Sequence, residues 1–183
     1  MHLAQFGSVE EFLAIYHPAV DPFQTTPGGS TLLLRALVNK DPQTRVELSS
    51  RLLDDGADAT VVTTDANDRV NVFHVLWGSR KDRDVDGEAA LVARMLDAGA
   101  DINLRSPRFG LPLMLMVMGI RDAGGLARTW DTVVAHSRPE LSLPTNKKGT
   151  TLGRNLAAVP AIADGVRAYA AESGQSAALE EDI

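Results

Sequence analysis

Two stretches of this chain nearly copy each other, and that duplication limits the fold more than any other feature. Leu52-Leu53-Asp54-Asp55-Gly56-Ala57-Asp58 and Met95-Leu96-Asp97-Ala98-Gly99-Ala100-Asp101 agree at five of seven positions and lie 43 residues apart. Self-similarity at such an interval marks stacked units, each one a supersecondary element that cannot bury its apolar face alone. Fainter copies follow the same rhythm. Moving residues 99–113 forward by 39 places Asp101 on Glu140, Ile102 on Leu141, Leu104 on Leu143, Gly110 on Gly149 and Leu113 on Leu152. Upstream, Asp21 precedes Leu33 by 12 residues, as Asp101 precedes Leu113 and Glu140 precedes Leu152, whereas Asp58 and Phe73 are 15 apart.

One unit can be read directly. The apolar runs 32–38 and 111–118 predict a first helix that is hydrophobic most of the way round, hence buried on several sides. A second helix ends in Arg51-Leu52-Leu53 or Arg94-Met95-Leu96, where Gly56 or Gly99 supplies the left-handed residue that closes a helix C-terminus. Such pairs must stack to cover their apolar surface. Towards the N-terminus, Ser8 with Glu11 predicts a capping box opening a helix that runs to about Tyr16 and is stopped by Pro18. This helix is expected to be the second of an incomplete first unit. At the other end Pro160 is expected to open a last helix reaching about Ala171, and the acidic tail 173–183 is expected to be flexible.

The pattern resembles the ankyrin repeat, whose motif Gly-x-Thr-Pro-Leu-His-x-Ala is followed by a second helix ending Leu-Leu-x-x-Gly-Ala-Asp. Gly29-Ser30-Thr31-Leu32-Leu33-Leu34-Arg35-Ala36 keeps the Gly, Thr, Leu and Ala positions, and Asn71-Val72-Phe73-His74 keeps the His with Phe for Leu. Leu111-Pro112-Leu113 keeps the Pro-Leu step, and Thr150-Thr151-Leu152 keeps the Leu. The resemblance implies an all-α fold, an ankyrin-type α-solenoid of stacked helix-turn-helix repeats with short loop or β-hairpin fingers. One domain then spans 1–172, with an N-terminal cap at 1–23, repeats at about 24–60, 61–103 and 104–143, and 144–172 as the closing cap. Units of about 40 residues exceed the family's 33, and the excess falls between the two helices, at 80–87 and 121–125. Trp77 stands where the family has a small Ala.

The chemistry-bearing residues are few. None of the four histidines lies three or four positions from another, so no zinc pair of the His-Glu-x-x-His kind exists. His74 falls on the family's His position, where the resemblance gives the ring a structural role, bonding backbone and fixing the turn. Asp82, Asp84 and Asp86 with Gly87 mimic the start of a calcium loop, but Ala93 stands where the closing bidentate Glu is needed. A solvated insertion is the other reading of that segment. An enzyme or metal-binding module built on His74 or on the Asp82 to Asp86 loop is therefore the alternative to a binding scaffold.

Composition narrows the partner. The chain has 183 residues, no cysteine and a formal net charge of −6. Missing thiols exclude disulfides, thiolate metal sites and a cysteine nucleophile. The acidic balance argues against a nucleic-acid ligand, because such binding rests on Lys and Arg neutralising phosphates. The longest apolar stretch, 111–120, is half of the ~20 residues a membrane span needs. The first 11 residues lack Lys and Arg, so no secretory leader is expected and a cytoplasmic location is. The resemblance implies no cofactor and no catalysis, but capture of a partner protein on a concave face, in a narrower version as an immunity or antitoxin-like inhibitor. Carried over from the family, the contact positions include Asn67, Asp68, Val70 and Ser79 in the second unit, Arg108 and Met118 in the third and Lys147 in the fourth. Arg105, Arg108, Lys147 and Lys148 crowd two adjacent fingers, which predicts a basic lip suited to an acidic patch on that partner.

Overall fold

A computed structural model of the chain describes residues 1–78 and 82–180. Within them lie ten α-helices: α1 (His2–Phe6), α2 (Val9–Leu13), α3 (Leu32–Ala36), α4 (Pro42–Asp54), α5 (Val72–Trp77), α6 (Val85–Asp97), α7 (Pro112–Gly119), α8 (Ala123–His136), α9 (Leu152–Ala157) and α10 (Ala163–Glu172). Among the described residues there is no β-strand, only the isolated bridges Thr25 to Thr31, Ser106 to Gly110 and Pro144 to Thr151. The fold is all-α. No helix among these residues is long and apolar enough to cross a membrane.

The helices alternate between two rows. The odd-numbered ones pack α1 on α3, α3 on α5, α5 on α7 and α7 on α9, and the even-numbered ones pack α2 on α4, α4 on α6, α6 on α8 and α8 on α10. Central odd helices start at caps spaced 40 residues apart, Thr31, Asn71, Leu111 and Thr151. Three of these caps, Thr31, Asn71 and Thr151, accept a backbone N–H of the first turn in their side chains, which satisfies a donor the helix leaves open. Two residues past the caps lie Leu33, Phe73 and Leu113, all fully buried. In the last helix that position is Gly153, so Leu152 corresponds to Pro112 and not to Leu113. The end of the chain fills the missing volume: a Cβ at Gly153 would stand 3.0 Å from the Ala178 carbonyl and 3.0 Å from Leu141.

Helices α4 and α6 close in the same way. Gly56 and Gly99 take φ of 89° and 90°, and the following Ala57 and Ala100 donate back to the carbonyls of Leu52 and Met95 at 2.9 and 3.0 Å. Glycine holds this left-handed conformation without the Cβ clash that other residues meet. Gly174 repeats the device after α10, where Gln175 N–H donates to Ala170 at 2.7 Å. Leu48, Leu52, Leu91, Met95, Trp130 and Val133 from the even row meet Leu33, Leu76, Trp77 and Met116 from the odd row in one continuous core, each at most 2% exposed. Each such side chain contributes roughly 1.5–3 kcal/mol by leaving water.

Polar groups are buried with it. Glu88 is 4% exposed and Arg45 1%. Arg45 donates from Nε and Nη2 to Glu88 Oε1 at 2.9 and 2.5 Å, and Arg83 Nη1 donates to Glu88 Oε2 at 2.7 Å. Arg45 also donates to the carbonyls of Asn39 and Asp82, and Arg83 to those of Leu76 and Gly119. Asn39, buried in turn, donates to Ala4 and Gly7. A charged chain thus threads the C-terminal ends of α1, α3, α5 and α7.

Several expectations from the sequence are corrected here. Residues 1–23 form two short helices, α1 on α3 and α2 on α4, where a single helix was expected. The Ser8 and Glu11 capping box is present, but α2 stops at Leu13. Pro160 lies in a turn before α10, which starts at Ala163 after Ile162. The tail is not loose through 180: Ser176–Leu179 forms a 3-10 turn with Ala178 buried, and Gln175 accepts Leu141 N–H at 2.7 Å while donating to the Pro139 carbonyl at 3.0 Å. The 80–87 and 121–125 insertions are partly helix, since Asp84 and Asp122 cap α6 and α8.

Candidate interaction surface

Before each of α3, α5, α7 and α9 the chain makes a short finger. Finger one turns through Thr26, whose carbonyl accepts Gly29 N–H at 2.8 Å. Finger two is wider, with Thr63 N–H on the Val70 carbonyl at 2.9 Å and Arg69 held at φ 37°. The third closes between Ser106 and Gly110, and the fourth between Thr145 and Thr150.

Hydrogen bonds run from each finger to the next. Thr64 N–H donates to the Gly28 carbonyl at 3.2 Å. Ser106 Oγ donates to the Asp68 carbonyl, and Arg105 to that of Pro144. His74 is 3% exposed, with Nε2 3.0 Å from the Gly110 carbonyl and Nδ1 2.8 Å from Asn71 Oδ1. Burial pulls its pKa below the ordinary imidazole value, against smaller upward effects of the Gly110 bond and of Asp101. The Asn71 amide reaches the Asp101 carbonyl at 2.6 Å. Asn103 brackets the following segment, donating to Arg138 at 3.1 Å and accepting Glu140 N–H at 2.9 Å. Gln175, after α10, holds the same segment from the other side, accepting Leu141 N–H and donating to the Pro139 carbonyl. Sequence reasoning missed Asn103 and Gln175, although each follows a Gly56-like closing glycine by one to four residues.

The contact positions read from the sequence do not form one cluster. Asp68 and Arg108 come together: Arg108 Nη1 stands 3.3 Å from Asp68 Oδ1, with the guanidinium 5.1 Å from the Phe109 ring centre. The acidic second finger and basic third finger therefore partly neutralise each other. Arg105 is drawn towards the fourth finger and, with Phe109, Met114, Asn146 and Asn155, lines a hollow of about 300 Å³ between fingers three and four. Lys147 and Lys148 are exposed next to Asn146 of that hollow, and Asn67 is exposed on finger two, while Val70 is half-buried. The lip of four cations expected from the sequence is thus two lysines plus two arginines already bound within the protein. Met118 is not part of this cluster. It stands 62% exposed at the far end of α7, where it lines a cleft of about 560 Å³ with Lys40, Asp82, Arg83, Arg121 and Asp122. Ser79 lies outside the described residues.

The acidic trio separates as well. Asp84 Oδ1 accepts Gly87 N–H at 3.1 Å as a helix cap, Asp86 pairs with Arg128, and the Asp82 carbonyl serves Arg45. Among the described residues no three His, Asp or Glu side chains are grouped as metal ligands.

No family model matches the sequence, and no curated protein matches it either. Among solved structures the fold is similar to that of a functionally unknown protein from Leptotrichia buccalis C-1013-b, with a TM-score of 0.70 at 20% identity, over 94% of this chain and 92% of that one. That likeness extends the fold, and only the fold, across nearly the whole chain.

Proposed function

We propose that the chain is an ankyrin-type repeat protein that works without catalysis, by holding another protein on its fingers and the adjoining odd-row helices. The observation that carries this reading is the row of fingers tied base to base, with Asn67, Phe109, Lys147 and Lys148 left to project. A rigid framework with exposed tips lowers the ordering cost of association. The partner this face fits has an acidic patch for the two lysines and an apolar side chain for the hollow beside Phe109 and Met114. The two alternating rows and the 40-residue spacing of the caps support the repeat reading. Inhibition of a cognate toxin remains the narrower form of the same proposal.

A photo-cross-linking side chain tests this when installed in host cells at 109 or 147, with position 131 on the even row as the comparison. A defined adduct from 109 and 147 but not from 131 is the expected result. Equal adducts from all three, or adducts from 131 alone, would sink the finger face as the docking surface.

A further inference from the structure

The N-terminal end of the helix stack carries a second surface that the finger reading does not use. Of the eight large apolar residues exposed among the described ones, six fall in the first 23 positions. Met1 is 40% exposed, Ile15 64% and Phe23 63%. Met1 and Ile15 border one groove, of about 200 Å³, whose walls also include Leu3, Phe12, Tyr16 and Asp21; Phe23 lies next to the lining residue Gln24 in the chain. Tyr16 and Phe23 both lean on the end of α4: Tyr16 Oη donates to Asp55 Oδ2 at 2.9 Å, and the Phe23 ring sits 3.6 Å from where a Cβ at Gly56 would stand. An end unit of a stack is ordinarily polar on its outer face. Here it is apolar, and contiguous apolar surface with a polar rim marks an interaction site.

The groove's lining carries one carboxylate, Asp21, and no Lys or Arg. No Lys or Arg occurs before Arg35, whereas Glu10, Glu11 and Asp21 all do. Asp21 is held by neutral donors only, the His17 N–H and the Gln24 amide. The nearest guanidinium groups are engaged, Arg35 with Gln5 and Arg51 with Asp55. An α-amino group at Met1 would offset one of the three carboxylates. This charge argues against a second copy as the occupant. A two-fold contact would set Glu10, Glu11 and Asp21 against themselves, and the other end of the stack exposes Glu172 and Glu180.

We infer that this end docks an amphipathic segment of another protein, apolar on one side and basic on its flanks, with an apolar side chain in the Ile15 groove and Lys or Arg beside Asp21 and Glu10. The full-length chain, labelled with nitrogen-15, is titrated with a synthetic helix of about 14 residues built from Leu and Lys, and separately with its Leu and Glu counterpart. Saturable amide shifts centred on Leu3, Ile15, Tyr16 and Phe23 are expected with the Lys helix, with affinity at least about tenfold higher than for the Glu helix. Ile15→Ser with Phe23→Ser should abolish them while circular dichroism stays unchanged, because both side chains are exposed. Shifts that centre on the fingers, that do not distinguish the two helices, or that fail to saturate by about 1 mM peptide would overturn the proposal. So would concentration-dependent shifts of the same residues in the free chain, which would assign the face to a second copy. Equivalent shifts with phosphatidylcholine vesicles would assign it to a membrane instead.

Discussion

Single residues decide two questions of stability. Glu88 is the shared acceptor of Arg45 and Arg83 inside the core. Removing its charge leaves two guanidinium groups without their counterion, and a broken buried pair costs about 3–5 kcal/mol. Glu88→Gln should therefore lower the urea midpoint far more than Asp54→Asn, which breaks only the exposed pair with Arg94. His74 sets a pH effect. Its folded pKa is depressed, so the folded state resists a proton that the unfolded chain accepts below about pH 6.5. The stability tied to neutral His74 is present above that pH and is lost as the pH falls. The unfolding free energy from urea titrations should drop between pH 7.5 and 5.5 with a slope of up to about 1.4 kcal/mol per pH unit from this group. In His74→Gln the drop should be visibly shallower, and an unchanged slope would remove His74 as its source. Neither Glu88 nor Arg45 announces itself in the sequence, because each is one charged residue on a helix and they meet only across 43 positions. Local signals fared better: Ser8, Gly56 and Gly99 act within a few residues, so their type alone foretells the cap or turn they make.

At the scale of elements, α6 and α8 make the most extensive contact among the helices, and Gly125 lets them approach. A Cβ there would stand 2.7 Å from Val85 Cγ1. Gly125→Val should cost about 1–3 kcal/mol through overpacking, read as a lower melting temperature, whereas Gly124→Ala, with nothing closer than the Asp122 side chain at 3.5 Å, should cost less. The C-terminal turn is the element the composition misrepresented. Its residues are small or polar, so no apolar period betrays it, and its attachment depends on the Gln175 amide and on the space left by Gly153. Gln175→Ala removes two bonds to backbone and should cost about 1–3 kcal/mol. Faster proteolysis of the tail than in the parent chain would be the direct sign, and equal protection would show that the packing of Ala178 suffices.

The whole molecule is unevenly built. α1 and α2 have five residues each, and α10 meets α8 through Trp130 and Tyr169 beside a hollow of about 450 Å³. Native-state hydrogen exchange should therefore be slowest in α6 and α8 and fastest in α1, α2 and α10. Uniform protection across all five pairs would contradict this gradient. The ends of α4 and α6 were legible in the short duplicated segment, because each copy carries its own closing glycine, Gly56 or Gly99. The charge pattern of the fingers was not, since Asp68 and Arg108 are 40 residues apart and neutralise each other only once stacked. The bonds that join the fingers have a last consequence. Asp68, Gly110, Pro144 and Arg138 are all tied through their carbonyl oxygens, which every amino acid carries. Replacing Asp68 or Pro144 therefore keeps the acceptor of each rung, whereas replacing the donor Ser106 or Arg105 removes the rung itself.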